Sequence, residues 1–483
     1  MQRIGLLAFI VVLFTLSALL YRQATEQPLT PALGTTVPVG TTPTIAEDRA
    51  APFNEVPAPI AQLVQLTPTP TAEPTPTGER IMVWWPDELY PVSGTVADDV
   101  LREQFESFRL TYSTYDLEVR RRRANGLGGI LPALRAALPV APGAVPDLTL
   151  MRRSDMVTAA TEGLIVPVTD WAPSDILNNL LPGVQELGEI NDVLYGIPYA
   201  LNIVHSIYRE TVFDTPPLTF DDVLAAEVPY LFPAGAGQGT MVNWVLLLQY
   251  RALDGDLLDE TGGPVLESGP LTDVLRFYEQ GVRAGIFDQG LLGQTQYNTY
   301  WDLFAAGEVN FIAVDTATYL GRRAGLQNIG LAPIPTQTGD PITTMDGWMW
   351  VLTTQNPDRQ RQARAFLSWI MRVSQQSLFT EALGILPSQQ RAFRLWEDDT
   401  YADFVQTVLG AAHILPGAQY NNSAAVALQA SFAEVLAGAS ATTAADAALN
   451  SLAPVSRPAS DALLSSAAAD WLTAPSNPQA SVP

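Results

Sequence analysis

The chain contains no cysteine, and all 26 of its basic residues are arginine. The first absence excludes disulfides, thiolate metal sites, iron–sulfur clusters, thiol nucleophiles and a lipid-modified N-terminal cysteine. The lack of lysine excludes Schiff-base chemistry and an ATPase phosphate loop, whose lysine reaches the phosphates. Histidine is almost absent too. With only His205 and His413, a multi-histidine metal centre is not expected, nor is any cofactor. Positive charge is scarce overall: 50 acidic residues give a net charge of −24. That balance argues against nucleic-acid binding, because phosphate contact needs a basic surface. The 483 residues are 47% hydrophobic and 9% aromatic. They can therefore bury real cores, and at ~100–200 residues per domain the length suggests two or three domains.

Behind Arg3, residues 4–20 form an almost unbroken apolar run, IGLLAFIVVLFTLSALL. Its length falls between the ~7–15 residues of a signal-peptide core and the ~17–25 of a spanning helix. Cleavage wants small residues at −3 and −1, yet Ala24 has Arg22 at −3 and Ala18 has Leu16. Residues 1–23 are therefore expected to be an uncleaved signal anchor, with a cleaved signal peptide as the alternative. Residues 24–78 read as a disordered linker, in which 23 of 55 positions are Pro or Thr. Such a segment lacks apolar surface to bury and loses backbone donors to proline. It suits a spacer between an anchor and a folded body. At the other end, residues 456–483 form an Ala/Ser/Pro-rich tail with one expected helix over 460–472.

From residue 79 the pattern changes. Strands are expected over 80–85, 117–120 and 146–151, each followed by an apolar helical pattern over 99–108, 126–138 and 154–162. This alternation is the signature of a doubly wound, mostly parallel α/β sheet. In such sheets ligands bind at the carboxyl ends of the strands. Helices dominate afterwards, over 241–252, 270–284, 299–307, 358–374 and 424–437, with short strands over 310–314 and 348–353. No tandem repeat is visible, so a solenoid or propeller is not expected.

The order of segments resembles the extracellular solute-binding proteins of ABC importers, in the carbohydrate-binding group similar to maltose-binding protein. The resemblance covers about residues 79–453. It is carried by IMVWW, DDVLREQFESF, LEVRRR, GLGGILPALRAAL, VPDLTLM and AATEGLIVPVTDW, then VLYGIPYALNIVHSIYRETVF, then FYEQGVRAGIF, WDLFAAGEVNFIAVD, APIPTQTGDPITTMDGWMWVLTTQNP and AFLSWIMRVSQQSLFTEALGILPSQQRAF. Each piece is short; their order and spacing carry the specificity. Many relatives from Gram-positive-type cells carry a lipidated cysteine, which this chain lacks. A membrane anchor with a long spacer could replace it.

The resemblance implies a two-lobe periplasmic-binding-protein type II fold over residues 79–455, with a hinge and an interlobe cleft that closes on ligand. Lobe one is expected at about 79–200 with a return over 308–345, and lobe two at about 201–307 and 346–455. The implied function is capture of a sugar or oligosaccharide on the outer face of the membrane and delivery to an ABC permease, by a monomer that is not an enzyme.

Sugars offer apolar faces ringed by hydroxyls, which aromatic rings and carboxylates, amides or arginines can match. The strongest local candidate is Asp346-Gly347-Trp348-Met349-Trp350. In the resembled family a turn of this kind with an aromatic often lines the cleft. Gly347 would let the backbone approach ligand, Trp348 would stack, and Trp350 shares its face if the segment is a strand. Trp85 and Asp87 end the first strand, and Arg152 with Arg153 ends the third. Tyr199 and Asn202 lie in the crossover segment, Trp244 begins a helix after a glycine-rich stretch, and Asp315 ends FIAVD. Competing bland readings are core positions for the tryptophans, turn capping for Asp87 and a solvated strand end for Arg120–Arg123. Trp301 and His205 are expected in the core.

Two other classes compete. A membrane-anchored sensor or adhesion protein would bind without transport. A glycoside-acting enzyme would need two carboxylates across a sugar, and no Gly-x-Ser-x-Gly elbow or histidine-based triad stands out to favour hydrolysis.

Overall fold

The computed structural model describes residues 79–236, 241–396, 398–414 and 421–452. The expected anchor, the linker, the C-terminal tail with its helix, and most of the glycine-rich stretch lie outside the described residues. No helix among the described residues is long and apolar enough to cross a membrane.

Strand β1 (Glu79–Pro86), β2 (Tyr115–Arg122) and β3 (Leu148–Arg152) alternate with helices α1 (Val96–Thr111), α2 (Ile130–Ala137) and α3 (Arg153–Thr161). The three strands are parallel, with β1 between β2 and β3. Strand β4 (Gly196–Arg209) is the long crossover segment. It is followed by α4 (Trp244–Arg251), α5 (Ser268–Arg283), β5 (Phe311–Asp315), β6 (Ile329–Ala332) and β7 (Thr343–Leu352). Next come α6 (Pro357–Ile370), α7 (Val373–Leu383), α8 (Ser423–Leu436) and α9 (Ala441–Leu452). The sheet runs β2-β1-β3-β7-β4-β5, ending on the short strand Tyr230–Leu231. Strand β7 is antiparallel to β3 and β4, and its first residues also pair in parallel with the short strand Ala412–Ile414. The mixed α/β character expected from the sequence is thus present, with antiparallel strands in the middle.

Local chemistry sets the helix starts. Thr95 accepts from the Asp98 amide at the head of α1. Asn243 does the same for Leu246 at α4, and Asn356 caps α6 ahead of Pro357 at its first position. These are the residue types that satisfy free amides at a helix N-terminus.

Strand alternation divides the core. Ile81, Val83 and Trp85 point to one face of β1 and join Phe105, Phe108, Trp350, Phe366, Trp369 and Phe379. Met82 and Trp84 point to the other and join Leu134, Met151, Ile312, Met349 and Val405. A third group gathers Tyr208, Tyr230, Phe232, Leu246, Phe277 and Tyr278 with Phe311, Phe432 and Leu436.

These groups cut across the expected lobe boundaries. Residues 308–345, expected in the first lobe, give Phe311, Ala313, Ala332 and Ile334 to the third group and Val309, Ile312, Val314, Tyr319 and Met345 to the group of Met82 and Trp84. Residues 346–455 were assigned to the second, yet β7 pairs with β3, α6 packs on β1 and α7 on α1. Only α8 and α9 return to α5 and the third group. The hydrophobic period fixes each element but not its distant partner.

Strand β4 changes partner in mid-course. Residues 196–203 pair with β7, and residues 204–209 with β5 and β6. At the change, the Ile203 amide donates to the Thr316 hydroxyl and the Val204 amide to the Thr343 hydroxyl, at 3.3 and 3.1 Å. Beside it, His205 is fully buried, its ring against Tyr319, Tyr401 and Phe404, the core placement read from its apolar surroundings.

Burial pushes the His205 imidazole down to about 4. The unfolded chain therefore takes up its proton first as pH falls below ~6.5, so the stability contributed by the neutral ring is full above that pH and is lost toward pH 4. Urea unfolding of wild type and His205→Asn at pH 7, 5.5 and 4 should show the wild-type advantage shrinking by up to about 3 kcal/mol. A constant difference across that range would contradict this assignment.

Candidate functional site

Three parallel strands that end together place their last residues in one row. Pro86 of β1 is in register with Arg122 of β2, and Arg152 ends β3. Because β7 runs the other way, its N-terminal half meets the same end: Trp348 is opposite Arg152 and Asp346 opposite Asn202 of β4. Val204 of β4 is opposite Asp315, the last residue of β5. Backbone register thus lines up Arg152, Trp348, Asp346, Asn202 and Asp315 across the middle of the sheet, with Asp87 and Glu88 in the turn that follows β1.

Side-chain contacts knit the row together. Glu88 forms an ion pair with Arg152, whose guanidinium lies 4.7 Å over the Trp348 ring. Asn125 donates to Glu88 at 3.0 Å, and the Ala124 amide donates to Asp87 at 2.9 Å. Asn202 donates to Asp315 at 3.0 Å and accepts from the Ala317 amide at 3.3 Å. Asp315 also caps the next helix through the Thr318 amide at 2.9 Å.

The electrostatics are those of charges partly withdrawn from water. Burial raises the Asp346 carboxyl, against the Gly347 amide and the charges of Arg152 and Arg153. Asp155, in the first turn of α3, is raised by burial and by Glu88 and Asp346, with Arg152 opposing. Burial lowers Arg153, which Asp346 opposes. Such a row offers donors and acceptors to hydroxyl groups. Among the described residues, no group of three or more His, Cys, Asp or Glu side chains is placed to hold a metal ion.

The structure separates the expected site residues. Arg152, Asn202, Asp315 and Asp346 share the row and are half-buried, with Asp87 at its edge. Trp85, Tyr199 and Trp350 belong to the core instead. All three have 0% exposure. Trp85 packs edge-on against Phe105, Tyr199, Trp350 and Phe379, and its indole donates to the Leu89 carbonyl. They are covered because α1, α6 and α7 lie over that face of the sheet. Trp348 keeps 8% exposure under Arg152. Trp244 is half-buried on the third core group, and no hydrogen bond or ring contact among the described residues joins it to the row.

Gly347 has a different reason from the one expected. A Cβ there would stand 2.4 Å from the Ala200 carbonyl oxygen of β4, so the missing side chain lets two strands approach. Glu88 and Asp155 were not singled out in the sequence, although both follow strand ends and the strand-end rule could have reached them. The basic run 120–123 is a largely solvated strand end, with Arg121 and Arg123 exposed, Arg121 over Tyr90, Arg122 over Trp84 and Arg120 paired with Glu118. Cavities of about 420 and 320 Å³ lie elsewhere, one around Tyr319 and Arg323, the other around Asp147 and Arg359.

A family model described as bacterial extracellular solute-binding protein matches residues 103–406. A maltotriose-binding protein of Pyrococcus abyssi (strain GE5 / Orsay) is 25% identical over 211 residues, which is 42% of this chain and 44% of that protein. The match therefore spans less than half of that relative. Among solved structures, a cyclic α-maltosyl-1,6-maltose binding protein from Arthrobacter globiformis superposes with a TM-score of 0.61 at 19% identity. The alignment covers 78% of this chain and 99% of that one. The sugar-binding protein MalE from Xanthomonas citri gives 0.60 at 17% identity, covering 82% and 100%. At such identities the structures establish the shared fold.

Two substitutions test these placements. The Tyr199 hydroxyl is buried without a hydrogen-bond partner, so Tyr199→Phe should leave stability unchanged or raise it by about 1–2 kcal/mol. A loss of more than about 1 kcal/mol would reveal a partner for that hydroxyl. Gly347→Ala forces β4 and β7 apart and should lower unfolding free energy by about 1–3 kcal/mol in denaturant titration; an unchanged midpoint would refute the close approach.

Proposed function

The chain belongs to the bacterial extracellular solute-binding protein family, and from that premise we propose that it captures an oligosaccharide of maltose or maltodextrin type outside the membrane and presents it to the permease of an ABC importer. The observation that carries this reading is the strand-end row, in which hydroxyl-matching groups from β1, β3, β7, β4 and β5 stand side by side where α/β sheets bind ligands. The names of the relatives in Pyrococcus, Arthrobacter and Xanthomonas support the sugar class. The family is one of binding proteins, in keeping with a chain that is not an enzyme.

In this reading the first lobe comprises about residues 79–203 and 343–396, and the second about 204–342 and 421–452, following the change of partner along β4, with the core group of Met82, Ile312 and Val405 spanning both. Strands β4 and β7 form the hinge, and the row lines the cleft between the lobes. Ligand touching both sides shifts an open–closed population toward the closed form. Anchoring by residues 4–20, a spacer role for residues 24–78 and action as a monomer belong to the same proposal.

The test is a thermal-shift titration of the full chain with maltose, maltotriose and longer maltodextrins, beside mannotriose, amino acids and polyamines. A ligand of the folded state alone raises the melting temperature by mass action, with about 2.7 kcal/mol of added stability at a hundredfold excess over Kd. A rise with the maltodextrins, without their turnover, is the expected result. A rise with amino acids or polyamines alone would discard the sugar class, and no rise across the panel would discard the receptor reading.

A further inference from the structure

Two arginines stand in succession where β3 passes into α3, and the structure gives them different work. Arg152 is engaged: its guanidinium is paired with Glu88 and covers Trp348. Arg153 is not. It is half-buried, its Nε is shut off from solvent without a partner, and among the described residues it makes no hydrogen bond and no ion pair. Arg209 shows the contrast. Its Nε is also unpartnered, but its Nη2 donates to the carbonyls of Phe304 and Ala305. Burying an Nε–H without a partner is costly, so a site that keeps one, with the rest of the guanidinium open to solvent, is built to meet an acceptor.

The acceptor has to suit the surroundings. A guanidinium is a planar fork that matches two oxygen atoms at once, either a carboxylate or two neighbouring hydroxyls. Asp87, Glu88, Asp155, Asp346 and Asp315 stand at the row with Arg152 and Arg153, and with Arg122 at its β2 end; Asp346 forms no ion pair with Arg153. An anionic ligand would meet carboxylates in excess. A hydroxyl both accepts and donates, so it can take a hydrogen bond from Arg153 and give one to Asp346.

We infer that Arg153, with Asp346 beside it, is the specificity-determining pair of the site, reading two adjacent hydroxyls of a neutral sugar, while Arg152 is a positioning residue that holds Trp348. This rests on the sugar-receptor reading above and goes beyond it by excluding acidic sugars and by choosing between two consecutive arginines.

The experiment is calorimetric titration of the full chain with maltotriose, a series of its monodeoxy analogues, and trigalacturonate. Arg153→Ala should weaken maltotriose binding at least thirtyfold, with circular dichroism and melting temperature close to wild type. Arg153→Lys should recover little, because an ammonium lacks the fork, and Arg152→Ala should cost less than fivefold. At least one deoxy analogue should bind wild type as weakly as maltotriose binds Arg153→Ala, and should lose nothing more in that variant. That coupling is a readout that a purely structural role would not move, and the deoxy series on wild type stands even if a variant folds poorly. The inference is overturned if Arg152→Ala costs as much as Arg153→Ala, if every analogue loses equally in Arg153→Ala, if no deoxy analogue binds wild type more weakly than maltotriose does, or if trigalacturonate binds better than maltotriose. Should wild type bind none of these saccharides, the receptor reading falls with it; binding that ignores Arg153 defeats this inference alone.

Discussion

The pairing of β4 is the constraint on which the rest depends. Its first half is bonded to β7 and its second to β5 and β6, so one strand carries the hydrogen bonding of two differently packed regions. A buried strand cannot leave amides unpaired where it changes neighbours. Thr316 and Thr343 supply the acceptors at that point, and Thr343 also donates back to the Val204 carbonyl. The same pairing puts Asp346 opposite Asn202 and Val204 opposite Asp315, so the ladder that holds the sheet also assembles the row.

Energies at the row are small individually. The Glu88–Arg152 pair has about a third of each side chain exposed, where an ion pair contributes roughly 0–1 kcal/mol. Stability resides instead in the aromatic cluster beneath it, where Trp85, Tyr199, Trp350, Phe366 and Phe379 meet at centroid distances of 5.5–6.4 Å. Rings so packed fix the strand ends, and fixed strand ends let weak polar groups keep a defined geometry.

Much of this was legible in the sequence, and the failures have a common cause. IMVWW, VPDLTLM and FIAVD announce buried strands through composition and length, strand-end logic reached Arg152 and Asp315, and the family resemblance reached Asp346. The tryptophans were harder to read. Alternation gives Trp84 and Trp85 opposite faces, but helices or loops cover both faces here, and both indoles are at most 2% exposed. Nor does any local pattern tell Arg152 from Arg153, because the difference lies in Glu88 and Trp348, one 64 residues away in the chain and the other on β7. The pairing of residues 343–352 with β3 is likewise a long-range fact that a hydrophobic period does not encode.

The interleaving of the core groups reaches into how the chain acquires its structure. Trp85 and Phe105 wait for Trp350, Phe366 and Phe379, and Phe232 and Tyr278 wait for Phe432. Neither region can close its interior from the residues made first. Contacts of such wide sequence separation require large loops to be ordered before they are rewarded, which slows folding. A nascent chain of this design stays open until most of it has emerged, and residues 79–203 depend for their completion on residues 343–409.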